Sequence, residues 1–101
     1  QQCNLHYWGD IDTHGFAILN QLRHRFPHVN SFLMDQTSLL HHQAMWGHEP
    51  QQVLHDLDLL TTEERLVYDQ LRDNRLQKNL RLEQEQLGFE WLIECLKNKG
   101  V

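Results

Sequence analysis

Residues 5–19, LHYWGDIDTHGFAIL, join an apolar, aromatic run to an apolar helical pattern through a turn holding two aspartates, Asp10 and Asp12, and Gly15. No other stretch restricts the fold as much. Residues 3–8 (CNLHYW) read as a short strand closed by Gly9. Residues 14–26 place Phe16, Leu19, Leu22 and Phe26 near helical spacing, with Pro27 as a stop. VNSFLMD then reads as a second strand ending at Asp35, and TSLLHHQAMW as a short helix stopped by Gly47 and Pro50. Strand, helix, strand, helix is the pattern of a parallel sheet covered by helices. Its crossover is right-handed, so the C-terminal ends of both strands share one edge.

The second half reads as helical from about residue 60 to residue 101. Thr61 followed three residues later by Glu64 has the spacing of a capping box, opening a helix over TTEERLVYDQLRDNR. LRLEQEQLGFEWLIECLKNKG sets Leu80, Leu87, Trp91 and Cys95 along one helical face and ends in lysines and Gly100. GHEPQQ, residues 47–52, is the one segment that reads as a linker. One α/β domain over residues 1–101 is expected. The missing initiator Met and the almost immediate strand point to a portion of a larger domain.

The 101 residues, 40% of them hydrophobic, can bury a modest core. No apolar run approaches the ~18 residues of a membrane span. Cys3 and Cys95 lack a CxxC partner and read as reduced thiols of a cytoplasmic protein. A net charge of −5 argues against a free-standing nucleic-acid binder, although RHRFPH (Arg23 to His28) is a basic knot. The eight histidines carry no zinc-site spacing with cysteine.

Ligands of open α/β sheets bind outside the C-terminal strand ends. Asp10 and Asp12 follow the first strand and Asp35 closes the second, which brings three carboxylates to one rim. Side chains two apart on extended backbone point the same way, so Asp10 and Asp12 reach one small volume while Ile11 turns into the core. Mg²⁺ takes hard oxygen ligands and keeps several waters, so one or two carboxylates plus substrate phosphate suffice. An aspartate here also suits the N-cap of the helix that follows. That role does not account for both.

YWGDIDTHGFAILNQLR resembles the Asp-x-Asp segment of toprim domains, most closely the C-terminal domain of the JetD family. That family supplies the nuclease subunit of Wadjet anti-plasmid defence. FPHVNSFLMD, MWGHEP, LVYDQLRDNRL and RLEQEQLGF extend the likeness over nearly the whole chain. A more distant similarity links it to the toprim segment of the topoisomerase VI A subunit. The resemblance implies a toprim-like fold and metal-dependent cleavage of double-stranded, closed circular plasmid DNA. It further implies a homodimer working with an SMC/condensin-like complex. Asp10 and Asp12 match the catalytic aspartates that hold Mg²⁺ or Mn²⁺. Toprim sites also draw a glutamate from an earlier strand, which no residue here matches.

Asp35 and Glu83 are candidates for accessory negative charge at the rim, and Arg23, Arg25 and Arg81 for contacts to DNA phosphate. For Arg81, Glu83 and Glu85 an ordinary solvated helix face is the favoured alternative. Two rival functions stand beside the nuclease. One is a small Mg²⁺-dependent phosphatase or phosphotransferase, although Thr13 directly after Asp12 departs from the Asp-x-Asp-x-Thr of haloacid-dehalogenase phosphatases. The other is a non-catalytic interaction or dimerisation domain whose carboxylates are helix caps.

Overall fold

A computed structural model describes residues 5–98, with Phe89 and Asn98 described by their backbone alone. Cys3, the first residues of the expected first strand, and the closing Gly100 lie outside the described residues. Strand β1 (His6–Tyr7) leads through the aspartate turn into helix α1 (Thr13–Arg25), and β2 (Asn30–Ser31) returns parallel to β1. His6 pairs with Asn30 and Tyr7 with Ser31. This is the β–α–β unit legible in the sequence, and the chain is the mixed α/β domain expected from it. Helix α2 (Gln36–His41) and a 3-10 turn at Gln43–Met45 follow.

The second strand is shorter than VNSFLMD suggests. After the Phe32 amide bonds the Tyr7 carbonyl (2.9 Å), Leu33 adopts a left-handed φ of 59° and turns the chain out of the sheet. Burying the Leu33 side chain offsets a conformation that a bulky residue rarely adopts.

The second half departs further from expectation. Helix α3 (Thr62–Arg72) opens with the anticipated capping box, Thr61 and Glu64 each bonding the other's backbone amide. It stops three residues before Arg75. Asn74, at φ 55°, donates its amide to the Leu71 carbonyl and Arg75 to that of Gln70, the paired bonds of a Schellman close. The expected helix over residues 80–100 is three pieces. Strand β4 (Leu80–Arg81) pairs antiparallel with β3 (Gly47–His48), a 3-10 turn spans Gln84–Gln86, and helix α4 covers Phe89–Asn98. Leu80 and Leu87 are both buried, but from a strand and a loop rather than from one helical face.

The core lies between α1, α3 and the two ladders, built from Ile11, Phe16, Leu19, Val67, Tyr68, Leu71, Leu80 and Leu82 among others. Phe16 meets Tyr68 edge-on across the α1–α3 contact. Trp91 and Cys95 fix α4 to this core, and the Trp91 indole donates to Ser38 Oγ (3.0 Å) while stacking on His41. Among the described residues, no helix is long and apolar enough to cross a membrane.

Candidate functional site

Three segments distant in sequence meet at the N-terminus of α1. Ile11 and Leu82 exchange two backbone hydrogen bonds (2.9 and 3.0 Å), which lays the β4 segment against the aspartate turn. Because β4 is extended, Leu80 and Leu82 face the core and Arg81 between them faces the turn. Strand β3, paired to β4, delivers Glu49 to the start of α1. Gly15 allows the chain to fold this tightly. A Cβ there would lie 2.0 Å from the Asp10 carbonyl oxygen, which is backbone and cannot yield.

Asp12 is buried, and both its oxygens are engaged. Oδ1 accepts the Gly15 amide (2.6 Å) as the N-cap of α1, and Oδ2 accepts Arg81 Nε–H (2.8 Å). Asp10 is part-exposed and accepts the Gln84 amide through Oδ1 (2.7 Å). Glu49, in the segment read as a linker, is 1% exposed. Its Oε2 accepts the Thr13 amide (3.0 Å) and hydroxyl (2.7 Å), and its Oε1 contacts Nδ1 of half-exposed His14 (2.8 Å). The Thr13 oxygen in turn accepts the Val53 amide (2.8 Å).

One carboxylate therefore bonds the Arg81 guanidinium, and two more, Asp10 and Glu49, act on it through their charge. The Asp12 hydrogen bond, outweighing partial burial, holds the Arg81 pKa above its ordinary value, with the charges of Asp10 and Glu49 adding to it. Burial pushes the Asp12 carboxyl up despite the bonds from Gly15 and Arg81, and nearby Glu49 adds to the rise. Burial, with the charges of Asp10 and Asp12, likewise raises the Tyr7 phenol.

The other sequence candidates fall elsewhere. Asp35 is exposed and N-caps α2, its Oδ1 accepting the Ser38 amide (2.7 Å); it borders a cavity with Ser31, Thr37 and Glu63 rather than joining Asp10 and Asp12. Glu83 is exposed where the 3-10 turn begins. Arg25 is exposed on the last turn of α1.

Arg23, a candidate for DNA contact, is instead buried, with four of its five guanidinium N–H donors engaged inside the domain. It donates to the Val29 and Leu59 carbonyls (3.0 and 2.9 Å) and forks onto both oxygens of Glu64. Glu49 was missed because its partners lie 35 and 36 residues earlier, although Glu before Pro50 at least signals extended backbone.

Among the described residues, no group of three or more His, Cys, Asp or Glu is placed to hold a metal ion. Two aspartates with hard oxygen donors, in a net negative site, still match what Mg²⁺ accepts when water completes its shell. The residues fit a divalent cation in chemistry and charge, with the Oδ2 position of Asp12 taken by Arg81.

A β–α–β unit whose first strand runs into a paired-aspartate turn, clamped from the side by a β3–β4 ladder, defines a small α/β domain with an acidic strand-end site. Residues 1–96 match the family described as Wadjet protein JetD, C-terminal, and the chain belongs to that family. No curated protein matches it.

Proposed function

We propose that this chain is the toprim-like, metal-binding part of a plasmid-defence DNA endonuclease. In this reading Asp10 and Asp12 hold Mg²⁺ or Mn²⁺, and the full-length protein cuts closed circular plasmid DNA as a homodimer with an SMC/condensin-like complex. Family membership over 96 residues supports the defence context. The observation that carries the chemistry is the pair of aspartates just after β1, whose charges both act on Arg81 and on Tyr7.

The cation supplies charge neutralisation at the scissile phosphate and acidifies a bound water. The chain's own residues set the stage. Gly15 brings the α1 N-terminus to the turn, Glu49 fixes Thr13 at its first residue, and the buried surroundings of Asp12 strengthen any charge interaction there.

One observation favours the interaction-domain alternative, namely that capping and ion pairing already occupy both oxygens of Asp12. The readings separate in plasmid cleavage by the full-length protein carrying Asp10→Asn or Asp12→Asn. Asparagine keeps an acceptor for the Gly15 amide while discarding a ligand charge. Cleavage lost in both variants, with folding intact, supports the nuclease site. Undiminished cleavage in both rejects it.

A further inference from the structure

Arg23 and Arg81 are held in opposite ways. Arg23 is buried and makes four hydrogen bonds, two to backbone carbonyls and two to Glu64. Arg81 reaches in from a side chain 26% exposed and is held by a single Nε–H bond to Asp12 Oδ2. Its backbone is fixed independently, because Leu80 pairs with His48, Arg81 with Gly47, and the Ile11–Leu82 bridge follows. The side chain can therefore leave without disturbing β4. The Asp12 cap survives that departure, since Oδ1, not Oδ2, accepts the Gly15 amide.

Resting on the proposed metal site, we propose that Arg81 is an exchangeable internal counter-ion, which occupies Asp12 Oδ2 until a divalent cation displaces it and the released guanidinium turns to a DNA phosphate. Both halves follow from ordinary chemistry. A cation and a guanidinium compete for one carboxylate oxygen, and a planar guanidinium is well matched to phosphate oxygens once free. The charge on Asp12 is thus balanced until the cation arrives, and cation binding is coupled to presentation of a phosphate-binding group.

The test is ¹⁵N NMR of the chain, following the Arg81 Nε–H resonance and the amides of residues 10–15 during a Mg²⁺ titration. Mg²⁺ affinity is measured in parallel by calorimetry for the wild type and Arg81→Gln. The expected result is that the Nε–H signal moves to a solvent-exchanging position in step with the amides. Arg81→Gln should bind Mg²⁺ on the order of tenfold more tightly, the counterpart of one lost charged hydrogen bond. Amide shifts with an unmoved Nε–H signal and unchanged affinity in Arg81→Gln overturn the exchange and leave the metal site standing. No amide shift in either protein at millimolar Mg²⁺ overturns both. The wild-type resonance decides the matter even if Arg81→Gln fails to fold.

Discussion

Replacing Arg23 with methionine keeps an apolar stem at this buried position of α1 and removes the guanidinium. Four hydrogen bonds disappear with it, and the Val29 and Leu59 carbonyls lose their donors. Glu64, whose side chain is 8% exposed, is left as a buried carboxylate with only Ser31 Oγ–H and the Thr61 amide to satisfy it. Breaking a buried pair by deleting one partner costs about 3–5 kcal/mol, mostly for the charge left behind. A domain of this size has roughly 5–15 kcal/mol in total. At about 4–8 °C per kcal/mol, the melting temperature should fall by roughly 12–40 °C. Neutralising the stranded charge should restore part of that loss: Arg23→Met/Glu64→Gln keeps an acceptor for the Thr61 amide and should unfold later than Arg23→Met alone. The coupling expected for such neighbours is about 0.5–3 kcal/mol. Urea denaturation followed by circular dichroism measures all three proteins, with the m-value as a check that the same surface is exposed. If Arg23→Met costs less than about 1 kcal/mol, well under the buried-pair range, while lowering DNA affinity, the ion-pair reasoning fails and Arg23 returns as a phosphate contact.

The same pair sets a pH dependence. Burial pushes the Glu64 carboxyl up, but Arg23, Ser31 and the Thr61 amide outweigh it and leave it below its ordinary value of 4.5. A carboxyl lowered by folding contributes stability that is complete above the unfolded value and lost as pH falls through the folded one. Wild type should therefore lose stability relative to Glu64→Gln on acidification below about pH 4.5 in melts over a pH series. Asp12 runs the opposite way: its carboxyl is raised above 3.8, so relative to Asp12→Asn the wild type should lose ground as pH rises from there. Gly15→Ala forces a Cβ to within 2.0 Å of the Asp10 carbonyl and 3.2 Å of Asp12 Oδ1. It should cost about 1–3 kcal/mol and shift the amides of residues 10–15, and a variant with wild-type melting and spectrum would contradict the tight turn.

What the sequence disclosed was governed by range. The β1–α1–β2 unit and the α3 capping box are written within windows of a few residues, as apolar periodicity, a proline stop and a Thr–Glu spacing, and the structure holds all of them. The β4 signal is also local, the apolar–polar–apolar Leu80–Arg81–Leu82. A three-residue alternation is too short to outweigh Leu80, Leu87 and Trp91, whose spacing also suits one helical face. The helix is interrupted by contacts that no local pattern announces: β4 finds its partner at β3, and Leu82 finds Ile11 across the turn. The site follows the same rule. Asp10 and Asp12 were visible because they share a turn, whereas Arg81 lies 69 residues from Asp12 and Glu49 lies 36 from Thr13. Sequence could propose Arg81 as a phosphate contact and still miss the carboxylate it rests on.

Helix capping and metal binding look like competing explanations of an aspartate at a strand end, yet at Asp12 the cap uses Oδ1 alone and the proposed cation would take Oδ2. Oδ1 serves the helix, satisfying an amide that α1 would otherwise leave unpaired. Oδ2 faces the charged side of the turn and is bound to a partner that one hydrogen bond retains. A substitution that deletes both oxygens cannot tell the roles apart, because frayed helix and lost ligand give the same inactive protein. Asparagine can, since its amide oxygen still caps while its nitrogen neither binds a hard cation nor pairs with Arg81. If the second oxygen exchanges as proposed, a fold that needs the cap for stability can carry a chemical site without weakening the helix that positions it.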